Sequence, residues 1–298
     1  MTSQTQNATT SSCNETNYDY SDFYQNYTYP QEFCWYYGHS IDTLTWIIVC
    51  VGLPLTPLAI FLLCVQVRIG HIGQIYVISL HIADLVQVFC MVVHMSGVKD
   101  DLTQKIFFEY VYPCGLMASV GFMVCVSMER YLVVAHPLWY QHRRTNKMTV
   151  VVCVSVWIIS VFVGLLNANI FGALLVLPIP LLFFFLIRTI KAVSASSVPS
   201  DEKLRIVAVL VLVVLIYILV FVPRIIMECF YQVMFLFDID YETLFSMYDI
   251  TCNLLQLNPL LDLILYFFIK KSIVNKLLGC LCCCKMDSDG IRTSATTT

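Results

Sequence analysis

Seven long apolar stretches, separated by short polar segments, run between residues 43 and 268 of this 298-residue chain. A helix of about 20 residues crosses the roughly 30 Å of hydrocarbon in a bilayer, and each stretch is close to that length. Backbone groups inside lipid must be hydrogen-bonded within the protein, which a helix achieves. The sequence therefore predicts an all-α membrane protein with a seven-transmembrane helix bundle over residues 43–268. The predicted spans are residues 43–67, 75–95, 106–129, 149–167, 170–187, 206–229 and 243–268.

The composition argues against a water-soluble domain. Only 12% of the residues are charged, about half the fraction that a soluble domain carries. The net charge of −3 gives no sign of a nucleic-acid partner. No nucleophile–base pair and no phosphate-binding loop is apparent in the sequence, so we do not expect an enzyme.

The basic residues predict the orientation of the chain in the membrane. The cytoplasmic side of membrane proteins is enriched in Lys and Arg. An external N-terminus places 14 of the 17 basic residues on the inner side and leaves Lys99, Lys105 and Arg224 towards the outside. We therefore expect a multi-pass protein of the plasma membrane with an extracellular N-terminus.

The polar residues 1–42 are predicted to form an extracellular, glycosylated tail. Residues 1–40 lack Lys and Arg and carry three Asn-x-Ser/Thr sequons, at Asn7, Asn14 and Asn26. Three acceptor sites within one polar segment favour glycosylation over chance occurrence.

A different pattern follows the seventh stretch. Residues 269–284 place apolar residues at helical spacing against Lys270, Lys271 and Lys276, which predicts an amphipathic helix on the membrane surface. We interpret the cysteines that end it as palmitoylation sites, with a metal cluster as the alternative. They are Cys280, Cys282, Cys283 and Cys284. Residues 285–298 are expected to form a cytoplasmic tail.

Short motifs within the spans occur in an order that resembles one receptor family. Glu129-Arg130-Tyr131 lies at the inner end of the third span, and Leu80-His81-Ile82-Ala83-Asp84 lies in the second. Trp157, Pro223 and Asp262-Leu263-Ile264-Leu265-Tyr266 follow in the fourth, sixth and seventh spans. Together they resemble the rhodopsin family (class A) of G protein-coupled receptors.

Within that family, the stretches 130–138 and 245–248 look similar to the proton-sensing and lysolipid receptors. The resemblance implies an extracellular signal, which could be protons, a lysolipid or another small anionic ligand, transmitted to heterotrimeric G proteins. It also implies arrestins and receptor kinases as further partners. Only Asn167-Ala168-Asn169 offers a turn between the fourth and fifth spans, so the second outer loop is expected to be almost absent.

The resemblance implies a conformational latch at the inner end of the third span. Arg130 would be held by Glu129 at rest and released as the sixth span moves outward. Tyr266 would then turn inward, and Leu138 would press into the G protein. The implied latch residues are Glu129, Arg130, Tyr131, Leu138 and Tyr266.

Two carboxylates near the middle of the membrane suggest an ion site. Ionisable groups inside lipid are costly and are a functional hypothesis by default. By resemblance, Asp84 and Asp262 face one another together with Ser119 and Asn258, and these oxygen-bearing groups could hold Na⁺ as an allosteric ion. The alternative is one protonated carboxyl group hydrogen-bonded to the other, because like charges favour protonation. No other cofactor is expected.

The outer half of the sixth span carries an unusual charge, Arg224, directly after Pro223. Its guanidinium could pair with an anionic ligand head group. The alternative is a pair within the helix with Glu228, four residues further on. The candidate pocket residues are Arg224, Glu228, Phe221, Tyr248, Glu109 and His94.

Several positions differ from the family pattern. Thr56, Phe221 and Leu263 occupy the places of the family's first-span Asn, sixth-span toggle Trp and seventh-span Pro. These replacements favour an alternative function, a non-signalling seven-helix decoy or partner receptor, whereas the retained Glu-Arg-Tyr favours a signalling receptor. A transporter is disfavoured because no internal repeat is present.

The family's third-span cysteine would fall at Lys105, which lies 25 residues before Arg130. The usual tie to the second outer loop is therefore missing. Cys34 could instead form an external bridge with Cys13 or with Cys229.

Overall fold

A computed structural model of the chain describes residues 43–68, 74–97, 100–138, 140, 146–166, 168–195, 200–233 and 241–269. Backbone contacts separate residues 1–31 from residues 32–298, and every described residue belongs to the second unit. The three predicted glycosylation sites, the four predicted palmitoylation sites and nearly all of the predicted surface helix lie outside the described residues.

All regular structure in the described ranges is helical. The elements are α1 (Thr43–Arg68), α2 (Ile75–Met95), α3 (Asp101–Lys105), a π-helical turn (Ile106–Val111), α4 (Tyr112–Ala135), α5 (Asn146–Gly164), α6 (Ala168–Leu174), α7 (Pro178–Ala195), α8 (Ser200–Val220), α9 (Val222–Val233), α10 (Tyr241–Gln256) and α11 (Asn258–Ile269).

Seven helical segments are long and apolar enough to cross a membrane, which confirms the predicted fold class. These spans are Thr43–Arg68, Ile75–Met95, Leu102–Ala135, Lys147–Gly164, Phe171–Ala195, Lys203–Phe230 and Ser246–Phe268. The third and fifth spans end later than the predicted residues 129 and 187, because the change from apolar to polar residues marks the lipid boundary whereas the helical hydrogen bonds continue into the polar region.

The third span lies at the centre of the bundle. It packs against the second, fourth, fifth and sixth spans. Its outer part contains the π-helical turn, where the Cys90 thiol of the second span lies 3.8 Å from the Phe107 carbonyl oxygen. The connection from the fourth to the fifth span is short, since α5 ends at Gly164 and α6 begins at Ala168. This agrees with the expectation that the second outer loop is almost absent.

Proline residues divide the last three spans. Proline lacks an N–H donor, so a helix that contains it loses a hydrogen bond one turn before it. The fifth span turns at residues 175–177 before Pro178, the sixth at Phe221 before Pro223, and the seventh at Leu257 before Pro259. Helix α1, in contrast, runs unbroken through its two prolines. The spans that carry mid-helix turns are therefore adjacent in sequence, at the C-terminal half of the bundle.

Candidate functional site

A polar cluster occupies the interior between the second, third and seventh spans. It consists of His81, Asp84, Gln87, Ser119, Asn258 and Asp262, all of them 0% exposed. Helical spacing explains the arrangement, because residues three or four apart share one face of a helix. His81, Asp84 and Gln87 repeat at that spacing on α2, and Asn258 and Asp262 repeat at it on α11.

Direct hydrogen bonds join the three spans within this polar cluster. The Ser119 hydroxyl donates to Asp262 Oδ2 at 3.1 Å, and Asn258 Nδ2 donates to Ser119 Oγ at 2.9 Å. Asn258 Nδ2 also lies 3.4 Å from Gln87 Oε1. Asp84 and Asp262 are close enough to interact. The structure therefore brings together all four residues that sequence analysis grouped as a sodium site.

The polar cluster also contains buried oxygen atoms without a hydrogen-bond partner. They are Oδ1 of Asp84, of Asn258 and of Asp262. Each unsatisfied buried polar atom costs about 1–3 kcal/mol, so the protein gains by supplying a cation or a proton there. Oxygen ligands suit a hard cation such as Na⁺. No group of three or more His, Cys, Asp or Glu side chains that could hold a metal ion occurs in the described ranges.

Sequence analysis missed His81 and Gln87. The Nδ1 atom of His81 lies 3.0 Å from Asp84 Oδ2, and its ring packs edge-on against Tyr266 with centroids 6.0 Å apart. His81 therefore connects the carboxylate of the second span to the tyrosine that was predicted to move with the seventh. A signal was present, because both missed residues lie three positions from Asp84 on the same helical face.

At the inner end of the third span, Glu129 is bonded differently from the expected ion pair. The Tyr140 hydroxyl donates to Glu129 Oε1 at 2.7 Å, whereas Nε and Nη2 of Arg130 are buried without a hydrogen-bond partner. Neighbouring residues on a helix point in different directions, so Glu129 and Arg130 do not face each other. The turn after Pro137, closed by Tyr140 N–H donating to the His136 carbonyl at 2.9 Å, brings the phenol within reach of Glu129.

A small cleft of about 90 Å³ opens beside this hydrogen bond. Its lining residues are Tyr76, Met128, Glu129, Leu132, Tyr140, Met148, Thr149 and Val152. The cleft lies between the second, third and fourth spans, so the Glu129–Tyr140 contact forms one wall of a partly open space.

The other predicted latch residues have distinct surroundings. Tyr131 packs against His136 and Phe185, each with ring centroids 5.9 Å away. Leu138 is 82% exposed, as a docking residue requires. Tyr266 is buried beside His81, far along the chain from the Glu129–Tyr140 contact.

The outer part of the sixth span forms a second cluster, which we call the arginine cluster (Arg224, Glu228 and Tyr248). Arg224 Nη2 lies 3.4 Å from Glu228 Oε2, and the guanidinium carbon lies 4.5 Å from the centre of the Tyr248 ring. The pairing within the helix is therefore present. A Cβ added at Gly172 would lie 2.7 Å from Glu228 Cγ, so this glycine makes room for the carboxylate.

The remaining pocket candidates have other neighbours. Phe221 is fully buried and stacks on Tyr217 with ring centroids 5.0 Å apart. His94 packs edge-on against Phe108 at 5.6 Å, and Glu109 lies 3.9 Å from Lys105. These contacts of His94 and Glu109 lie within the second and third spans.

The proposed external bridge between Cys34 and Cys229 is wrong, because Cys229 is a free thiol. Cys252, in the seventh span, is disulfide-bonded. The alternative bridge between Cys34 and Cys13 lies outside the described residues. The error has a simple origin: the connectivity of disulfides cannot be deduced from cysteine positions alone.

Comparison with known proteins identifies similarity to one family of membrane receptors. The family described as 7 transmembrane receptor (rhodopsin family) matches residues 56–171. This stretch of the chain is similar to that family. The match contains Asp84, Ser119 and the Glu-Arg-Tyr motif.

Individual receptors are similar either to part of the chain or, at lower identity, to most of it. The chain is 31% identical to human (Homo sapiens) Mas-related G-protein coupled receptor member X2 over 43% of its own length and 40% of that relative's. It is 29% identical to human G-protein coupled receptor 68 over 37% of its length and 32% of the relative's. Rat (Rattus norvegicus) proteinase-activated receptor 2 is 21% identical over 80% of this chain and 70% of its own length. The chain thus spans about two fifths of the Mas-related relatives that it matches.

Proposed function

We propose that this chain is a cell-surface receptor that transmits an extracellular signal to heterotrimeric G proteins by outward movement of the sixth span. The observation that carries the proposal is the polar cluster, whose hydrogen bonds tie the second, third and seventh spans together. The sixth span is divided at Phe221, and its inner half, α8, carries no charged residue after Arg205. Three tied helices beside a hinged one can exchange between two arrangements that a ligand shifts.

We further infer that Asp84, Ser119, Asn258 and Asp262 hold Na⁺ in the resting arrangement. The inference is supported by the three buried oxygen atoms that have no hydrogen-bond donor. A cation satisfies those oxygens and offsets two carboxylate charges in a region without water. Loss of the cation would leave the pair to share a proton.

At the inner end, we assign Arg130 as the contact for the G protein, with Glu129, Tyr131 and Tyr266 as the residues that rearrange around it. The unpartnered nitrogens of Arg130 support this assignment, because a buried guanidinium gains from any carbonyl or carboxylate brought to it. Leu138 supplies the exposed apolar contact.

For the outer end, we infer a pocket for an anionic group at the arginine cluster, closed below by Phe221. A second anion could share Arg224 with Glu228, and a proton on Glu228 would release Arg224 for a ligand. His94 and Glu109 are candidate outer groups on the second and third spans. We propose protons, a lysolipid or another small anionic ligand as the extracellular signal.

The remaining proposals concern the surroundings of the bundle. We place the chain in the plasma membrane with its N-terminus outside, glycosylated at Asn7, Asn14 and Asn26. The inner tail would be palmitoylated at Cys280, Cys282, Cys283 and Cys284 and contacted by receptor kinases and arrestin.

Dissociation of G protein subunits, followed by energy transfer in cells, tests the proposed function. The full chain is expressed at the surface and exposed to a series of external pH values and to a panel of lysolipids. We expect dissociation under at least one condition and its loss in Arg130→Ala. Silence of every G protein class, with surface expression confirmed, would overturn signalling in favour of a decoy or partner receptor.

A further inference from the structure

The proline turn of the fifth span leaves one backbone carbonyl without its usual hydrogen-bond donor. A carbonyl in an α-helix accepts from the N–H four residues later. The donor that Val176 needs would come from position 180, which is Pro180 and has no N–H. Val176 accepts instead from the Ile179 N–H at 3.2 Å. In a regular helix the Ile179 N–H would donate to the Leu175 carbonyl. Because it donates to the Val176 carbonyl instead, Leu175 loses its backbone donor.

A side chain of the sixth span supplies the missing donor. The Tyr217 hydroxyl donates a hydrogen bond to the Leu175 carbonyl oxygen. Leu175 is 0% exposed and Tyr217 is 2% exposed, so water does not compete for either group. A buried carbonyl without a donor costs free energy, and the Tyr217 hydroxyl removes that cost. Because the contact is a hydrogen bond, it depends on the relative orientation of the fifth and sixth spans.

The same tyrosine contacts the turn of the sixth span. Its ring stacks on Phe221 with centroids 5.0 Å apart and planes inclined by 25°. The Phe221 N–H donates to the Tyr217 carbonyl at 2.9 Å, so the two residues are also joined through the backbone. Tyr217 therefore connects the proline turn of the fifth span to the proline turn of the sixth.

We propose that Tyr217 is a positioning residue that holds the sixth span in its resting place through the carbonyl left open at Leu175. The proposal rests on the proposed function, in which the sixth span moves. Apolar contacts between helices are readily exchanged for lipid, which is equally apolar. The Tyr217 hydrogen bond cannot be exchanged in that way, because lipid tails offer no donor to Leu175.

Removing the hydroxyl alone tests the proposal. Tyr217→Phe keeps the ring and its stacking on Phe221 but cannot donate to Leu175. We expect ligand-independent nucleotide exchange on a purified G protein to rise roughly five- to tenfold, since the lost bond favours only the resting state. Tyr110→Phe, which removes a phenol hydroxyl from a more exposed position on the third span, is the matched control and should change nothing.

A second substitution distinguishes this mechanism from a general loosening of the core. Pro180→Ala provides an N–H for the Val176 carbonyl and so releases the Ile179 N–H to serve Leu175. In the Pro180→Ala background, Tyr217→Phe should raise exchange by less than about twofold, because Leu175 then has a donor within its own span. An equal effect of Tyr217→Phe in both backgrounds overturns the proposal.

A distance measurement separates this inference from the proposed function. Spin labels on non-natural side chains at Lys147 and Leu204, both exposed, report the separation of the fourth and sixth spans in the full chain in nanodiscs without a G protein. We expect a population with a longer distance in Tyr217→Phe that disappears when Pro180→Ala is added. An unchanged distance distribution in Tyr217→Phe overturns the inference, even if signalling is intact. A longer distance without any G protein activation supports the inference and contradicts the proposed coupling.

Discussion

The two sides of the bundle are held together by different forces. On one side, the second, third and seventh spans bury hydrogen-bonded polar groups, including Asp84, Ser119 and Asp262. On the other, among the described residues, the fifth and sixth spans contribute only Thr189, Arg224 and the hydroxyl of Tyr217 to the buried polar side-chain groups. Directional bonds fix distances between helices, whereas apolar contacts in lipid allow sliding. The polar side therefore acts as the frame, and the apolar side is the part that can move.

The strongest test of this difference removes a charge from the polar side. Asp84→Asn keeps the shape of the side chain but takes away one carboxylate of the inferred Na⁺ site. We expect Na⁺ to stabilise the wild-type chain by about 1.4 kcal/mol at a concentration roughly ten times its dissociation constant, and the variant not at all. Thermal unfolding in nanodiscs with sodium or choline chloride measures this.

Glu109→Gln is the control for that experiment, because it removes a partly exposed carboxylate outside the polar cluster. Its sodium dependence should match the wild type. If Asp84→Asn keeps the full stabilisation by sodium, the polar side is held by protein hydrogen bonds alone and the ion assignment is wrong.

A smaller effect is expected from crowding the ion pair between Arg224 and Glu228. Gly172→Ala places a methyl group 2.7 Å from the present position of Glu228 Cγ. The carboxylate must then move away from Arg224, at a cost of about 1 kcal/mol in unfolding free energy. In a Glu228→Ala background the space is already empty, so the same substitution should cost nothing. Equal destabilisation in both backgrounds, measured by thermal unfolding, would contradict the close contact.

The smallest effect is expected at the inner end of the polar side. Tyr140→Phe removes the hydroxyl that donates to Glu129 Oε1. Because this bond lies near the membrane surface, where water can replace it, we expect only about a threefold rise in ligand-independent nucleotide exchange. A rise larger than that of Tyr217→Phe would reverse the comparison and make the inner end of the third span the main restraint.

The sequence predicted the parts of the molecule that lipid determines. The length of each apolar stretch placed the seven spans. The resemblance to the receptor family implied that Asp84, Ser119, Asn258 and Asp262 lie together, and the structure brings them into one cluster.

What the sequence could not predict depends on contacts between distant residues. Tyr140 reaches Glu129 only because the chain turns after Pro137, and hydropathy gives no sign of such a turn. The donor from Tyr217 to Leu175 depends on the relative rotation of two apolar helices, which carry few polar residues to reveal it. The disulfide of Cys252 likewise follows from the folded arrangement and not from spacing.

The π-helical turn at Ile106–Val111 shifts the helical register between the two parts of the third span. A π-turn contains one residue more than an α-turn. It therefore has the effect of inserting a single residue into the helix. Positions beyond the turn are therefore shifted by one when they are compared with a continuous α-helix. Counted in that way from Arg130, the place of the family's cysteine moves from Lys105 to Gln104. Neither is a cysteine, and any alignment of this chain to its relatives needs a one-residue gap here.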